Sequence, residues 1–107
     1  MTGNEYQKLA MRTAGDGDIK YLIENGVMGL NGEAGECIDL VKKWRFQGHP
    51  LDARKLMDEL GDVLWYVAIT ASGLSYGLDE IMQHNIDKLR KRYPEGFDAE
   101  RSIHREG

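Results

Sequence analysis

The chain has 107 residues, a charged fraction of 30%, a hydrophobic fraction of 41% and a formal net charge of −4. That is the length of one domain and the composition of a soluble globular chain, too apolar for a disordered one. The acidic balance argues against a nucleic-acid polymer as partner, which needs a basic surface, but leaves room for a phosphate ligand whose charge is met by metal.

The single cysteine, Cys37, leaves no intrachain disulfide and fits a reducing compartment. No stretch approaches the roughly 20 apolar residues of a bilayer span. The first residues, Met1-Thr2-Gly3-Asn4-Glu5, have no apolar run behind them. The expectation is a cytoplasmic protein with no membrane partner. A chain this short buries a limited core, so a homodimer or homotetramer that shares one is expected.

Thr2 with Glu5 three residues on has capping-box spacing and predicts a first helix from about 4 to 14, ended by Gly15-Asp16-Gly17. Asp18 can cap a second helix, in which Ile19, Leu22, Ile23, Val27, Leu30, Ala34, Cys37, Val41 and Trp44 follow a 3.6-residue period. Glycines interrupt it at 26, 29, 32 and 35, each costing up to about 1 kcal/mol against alanine. Gly35 is expected to let another helix close in, and Gly26 and Gly29 to mark either a kink or a break. Gln47-Gly48-His49-Pro50 is a loop. Asp52 caps a third helix, about 53 to 75, with Leu56, Leu60, Val63, Leu64, Val67 and Ala71 inward and Gly77 as its C-terminal stop. A fourth, about 79 to 92, carries Ile81, Met82, Asn85, Ile86, Leu89 and Tyr93 before Pro94 and Gly96. The tail from Phe97 to Gly107 is expected to hold a short helical turn and otherwise to be mobile. With no alternating pattern anywhere, the fold class is all-α and four-helix bundle-like, a single domain over 1–107.

Two matching acidic motifs stand out, Glu33-Ala34-Gly35-Glu36 and Glu59-Leu60-Gly61-Asp62. In each, the acids are three apart and share one helix face. The runs that follow, Cys37-Ile38-Asp39-Leu40-Val41 and Val63-Leu64-Trp65-Tyr66-Val67, read as core. Carboxylates among apolar residues are costly unless a cation pairs with them, and four converging would repel one another. A divalent metal resolves both, and magnesium suits hard oxygen ligands and phosphate. The plainer alternative is solvated faces or salt bridges. A carboxylate-bridged di-iron bundle fits poorly, because it wants Glu-x-x-His where this chain has Glu36 and Asp62.

Asn85, Lys88 and Arg92 recur at i, i+3 and i+7 and could bind phosphate, or could simply form a solvated basic helix end. Lys43, seven after Glu36, has the same two readings. Trp44 could stack on a base or belong to core or interface. Trp65 is assigned to the core and Cys37 to a small buried position. His49, His84 and His104 lack ligand spacing and are assigned to the surface.

Glu33-x-x-Glu36, residues 37 to 58, then Glu59-x-x-Asp62 resembles the all-α nucleoside triphosphate pyrophosphohydrolases of the MazG-like group. The lead-in Gly29-Leu30-Asn31-Gly32 and the later run from Asn85 to Phe97 are similar to that family's motifs, and the resemblance covers roughly 20 to 105. It implies Mg²⁺-dependent hydrolysis of a nucleoside triphosphate to monophosphate and pyrophosphate, with Mn²⁺ able to substitute, in a protein that dimerises through shared helices and clears unwanted nucleotides. It makes Glu33, Glu36, Glu59 and Asp62 the metal ligands, with Glu36 the candidate general base. Tyr66 is then placed to touch sugar or phosphate, though an aromatic there is equally a core residue. Two rivals remain from the residues: a non-catalytic helical interaction module, and a related hydrolase acting on a phosphoribosyl-linked metabolite.

Overall fold

The computed structural model describes residues 1–104. The chain is all-α: α1 (Gly3–Met11), α2 (Ile19–Phe46), α3 (Ala53–Gly73), α4 (Leu78–Arg92) and a short α5 (Ala99–Ile103). No strand occurs among the described residues. α1, α2 and α3 start where the sequence provides a side-chain acceptor, as α5 does at Asp98. The Glu5 N–H donates to Thr2 Oγ1 at 3.0 Å, the Tyr21 N–H to Asp18 Oδ1 at 2.8 Å and the Lys55 N–H to Asp52 Oδ1 at 3.0 Å. Such a cap is worth about 1 kcal/mol. The short turn expected in the tail is α5, and the last three positions of that tail lie outside the described residues.

The long antiparallel pair α2–α3 is the frame, and α1 packs on α3 and on α4. Ala10, Ala68 and Leu78 form one buried cluster, and Ala14, Leu22 and Ile69 form a second, with Trp65 packed against both. The Trp65 indole N–H donates to the Ala10 carbonyl at 3.2 Å and to Thr13 Oγ1 at 2.9 Å. Gln7 is the buried polar pin. Its amide donates to Ser72 Oγ at 2.9 Å and to the Tyr76 carbonyl at 3.0 Å, and its oxygen accepts from the Leu78 N–H at 2.8 Å. A buried amide with its partners met fixes α1 against the α3–α4 turn.

Several expectations are corrected. α2 runs unbroken through Gly26 and Gly29. These two, not Gly35, are where the helices close in: a Cβ on Gly26 would collide with Thr70, and one on Gly29 with the Tyr66 ring. A Cβ on Gly35 or Gly61 would meet nothing within 4 Å. α1 ends earlier than expected because Thr13 and Ala14 bond three residues back, to Ala10 and Met11, in a tighter turn. α3 stops at Gly73 rather than near Gly77. Ser75 takes the left-handed position at φ 63°, the Tyr76 N–H reaches the Ala71 carbonyl at 2.9 Å and the Ser75 N–H reaches Ser72 at 3.1 Å. That is a Schellman stop built without glycine. Gly77 instead opens α4, its N–H donating to Glu80 Oε1 at 2.9 Å. Finally, Leu60 and Leu64, expected inward, are 56% and 45% exposed.

Gly26→Ala should destabilise the fold by about 1–3 kcal/mol, the usual cost of overpacking. Thr70→Ala removes part of the obstruction, so the double variant should recover some of the loss in a chemical-denaturation cycle. Additive losses would contradict the close approach at this point.

Candidate metal centre

The Gly26–Thr70 and Gly29–Tyr66 contacts set the register of the two helices. In an antiparallel pair, a turn forward along α2 is a turn back along α3. One turn past Gly29 stands Glu33, and one turn before Tyr66 stands Asp62. The carboxylates of Glu33, Glu59 and Asp62 offer oxygens that all lie within 4.8 Å of one another. Glu33 and Glu59 are half-buried and Asp62 is exposed. The sequence motifs thus meet across the helix pair because the glycines upstream fix their level.

Glu36 lies outside that set of three. Its side chain is exposed, and its negative charge is felt at Glu33. The Glu33 carboxyl is held above its ordinary value of 4.5. The largest cause is a side-chain hydrogen bond with Glu59, followed by desolvation and the charges of Glu59, Asp62 and Glu36. Carboxylates this close resist full ionisation. The donor set is all oxygen and all acidic, which fits a hard divalent cation such as magnesium.

The other candidates fall in three places. Lys43 is on the same face as Glu36, toward the α2–α3 connection, where its Nζ lies 3.0 Å from Asp39 Oδ2. Asp39 is held below its ordinary range, chiefly by that hydrogen bond and charge, with Lys42 and Lys55 adding to it. Trp44 is exposed beside them, with the Arg45 guanidinium 5.8 Å from its ring centroid. Tyr66 is half-buried against Gly29 and meets Trp65 edge-on with centroids 5.0 Å apart. Asn85 and Lys88 are exposed on α4, and Arg92 is half-buried there. The start of α4 is tied to α1 through Asn4 and Asp79, whose backbone and side-chain groups bond reciprocally at 3.2 and 3.0 Å. α4 itself packs on α1 and on α3.

Sequence reading overlooked two neighbours of the site. Tyr6 on α1 has its phenol pushed up by burial and then by the charge of Asp62, so α1 flanks the acidic cluster. Lys55 stands one turn before Glu59 on the same face of α3. Its i, i+4 relation to Glu59 was a signal in the sequence, but its relation to Asp39 needed the helix register. Cys37 is half-buried, and the three histidines are exposed as expected.

Because the fold holds the Glu33 proton more tightly than the unfolded chain does, its contribution to stability is full below the unfolded value and is lost as pH rises through the folded one. Without divalent ions, wild type should therefore lose stability relative to Glu33→Gln as pH rises from 4.5 toward neutrality. Added Mg²⁺ should stabilise wild type more than the variant. Parallel melting profiles for the two proteins would contradict the clustered charge.

Comparison with known proteins adds an independent finding. A protein named Gene 37 protein, from Mycobacterium phage L5, is 39% identical over 87 residues, covering 78% of this chain and 76% of that protein. No solved structure matches the chain. Residues 23–97, which hold both acidic motifs and all of α3 and α4, match the family described as the MazG nucleotide pyrophosphohydrolase domain. The chain therefore belongs to the MazG nucleotide pyrophosphohydrolase family.

Proposed function

We propose that this protein is a Mg²⁺-dependent hydrolase that cleaves a ribo- or deoxynucleoside triphosphate to its monophosphate and pyrophosphate, clearing unwanted nucleotides from a cytoplasmic pool. The observation that carries this is the convergence of Glu33, Glu59 and Asp62 from two helices, in a chain of the matching family. No helix is long and apolar enough to cross a membrane among the described residues.

Glu33, Glu59 and Asp62, with Glu36 at the margin, would hold the cations. When bound, these ions neutralise charge on the polyphosphate and lower the pKa of a water molecule. Attack of water on the α-phosphorus breaks the α–β anhydride bond and releases pyrophosphate. Catalysis of this kind is mainly positioning and charge stabilisation. Glu36 is exposed and outside the converging three, so it is the acid available to accept the water's proton. Lys43, Asn85, Lys88 and Arg92 are assigned to phosphate contacts. Tyr66 and Trp44 are the two aromatic faces on offer to the nucleoside, on opposite sides of the acidic level.

The working form is assigned to a homodimer, or a tetramer built from it. A folded monomer of this mass exposes about 6,000 Å², whereas this chain exposes 8131 Å². Its radius of gyration is 16.6 Å, against about 13 Å for a compact chain of this length. The excess of about 2,000 Å² per chain is in the range that obligate dimers bury. The exposed apolar residues also lie in stripes. Met57, Leu60 and Leu64 follow one face of α3, Val27 and Ile38 share one face of α2, and Met82, Ile86 and Leu89 one face of α4. The α4 phosphate contacts proposed above would then be made within that assembly.

A panel of nucleoside triphosphates with Mg²⁺ should yield monophosphate and pyrophosphate, and Asp62→Asn should lower turnover more than about 100-fold with the helical fold kept. Diphosphate and orthophosphate as products would overturn the proposed point of attack. Sedimentation should show wild type as a dimer or larger and Leu60→Asp shifted toward monomer. A wild type that stays monomeric at micromolar concentration would remove the shared-core assignment.

A further inference from the structure

A cavity of about 350 Å³ lies at the turn from α3 into α4, lined by Tyr76, Glu80, Ile81 and His84. That volume is in the range of small-molecule sites. Tyr76 offers an exposed aromatic face and Ile81 a half-buried apolar one. Glu80 and His84 are four residues apart and share a side of α4. Glu80 is held in place, because its Oε1 accepts from the Gly77 N–H at 2.9 Å. A carboxylate has about four lone-pair sites, so both oxygens can still accept from a ligand. The cavity is also continuous with the residues assigned to phosphate. Ile81, Asn85, Lys88 and Arg92 stand at i, i+4, i+7 and i+11, which is one side of a helix, and His84 is one turn before Lys88. A nucleoside at the first turns of α4 with its phosphates at the later ones is a connected path.

We propose that this cavity is the base subsite of the enzyme and that it selects guanine. The inference rests on the pyrophosphohydrolase reading above and deepens it. Guanine presents two adjacent donors, N1–H and the 2-amino group, beside an acceptor at O6. Glu80 accepts from the two donors, the His84 imidazole donates to O6, and Tyr76 and Ile81 cover the faces of the ring. Adenine and cytosine set a single amino donor beside a ring nitrogen that repels a carboxylate. Uracil and thymine set N3–H between two carbonyl oxygens, with the same effect. Only the guanine edge gives Glu80 a pair of donors. The cavity thus adds a third aromatic face to Tyr66 and Trp44, one flanked by a carboxylate and an imidazole. From Asp62 to its end at Gly73, α3 rises about 16 Å, more than separates a base from its α-phosphorus. The acids that this subsite serves are therefore those of a second copy in the assembly proposed above.

The test is steady-state hydrolysis of guanine, adenine, cytosine and uracil nucleoside triphosphates, in ribo and deoxy forms, by the Mg²⁺-loaded full chain. Calorimetric binding of inorganic tripolyphosphate, which has no base, runs beside it. Wild type should show a kcat/KM for the guanine substrates about tenfold or more above the others. Glu80→Gln keeps an oxygen for the Gly77 N–H, and should raise KM for the guanine substrates about tenfold with the uracil substrates little changed. Tyr76→Ala should raise KM for every base and leave tripolyphosphate binding as it is. Melting curves check that each variant is folded. A wild type that does not favour guanine, a Glu80→Gln loss that is equal across the bases, or weaker tripolyphosphate binding in Tyr76→Ala overturns this inference, while a wild type that still releases pyrophosphate keeps the enzymatic reading. A wild type that hydrolyses none of the nucleotides overturns both.

Discussion

The close approach of α2 and α3 at Gly26 and Gly29 governs the rest of the structure. Both glycines face side chains on α3 that leave no space for a Cβ, so the two helices can pack in this register and in few others. The geometry of the acidic cluster follows from it. The register sets Glu33 level with Glu59 and Asp62 and carries on to bring Asp39 near Lys55. Glycine in a helix interior costs about 1 kcal/mol relative to alanine, and the return here is a fixed axial alignment of two helices.

That alignment places mutually repelling charges side by side. The crowding holds the Glu33 carboxyl above its ordinary value, the hydrogen bond with Glu59 being the largest cause. A divalent cation can offset the same charges. The buried pins, Gln7 against the α3–α4 turn and Trp65 against α1, resist separation of the helices that the repulsion would favour. Local electrostatic strain at the acids is thus held in place by hydrogen bonds and packing further along α3, toward its C-terminal end.

Much of this was legible in the sequence, and the reasons are specific. Helix starts were readable because Thr2, Asp18 and Asp52 act through local geometry alone. The paired acids were readable because i, i+3 spacing and their apolar surroundings are both visible along a single strand of text. The role of the glycines was not, because spacing cannot say which face of a helix meets a neighbour; Gly35 beside the acids looked the better candidate, and Gly26 and Gly29 held the contact. The stop of α3 was misplaced because Ser75, a residue with no strong preference for the left-handed region, adopts it under the pull of the Tyr76–Ala71 bond. Leu60 and Leu64 were placed inward by periodicity, which reports an apolar face without reporting what covers it. Lys55 was overlooked for the same reason as the glycines: its partner is on another helix.

The central claim is that acids from α2 and α3 form one cation site rather than two separate acidic faces. Its most direct measure is Mn²⁺ binding, followed by electron paramagnetic resonance in wild type, Glu33→Gln, Glu59→Gln and the double variant. The account predicts that either substitution removes most of the high-affinity binding and that the double variant loses little more, since both remove the same site. Losses that simply add, or binding that survives either substitution intact, would contradict it.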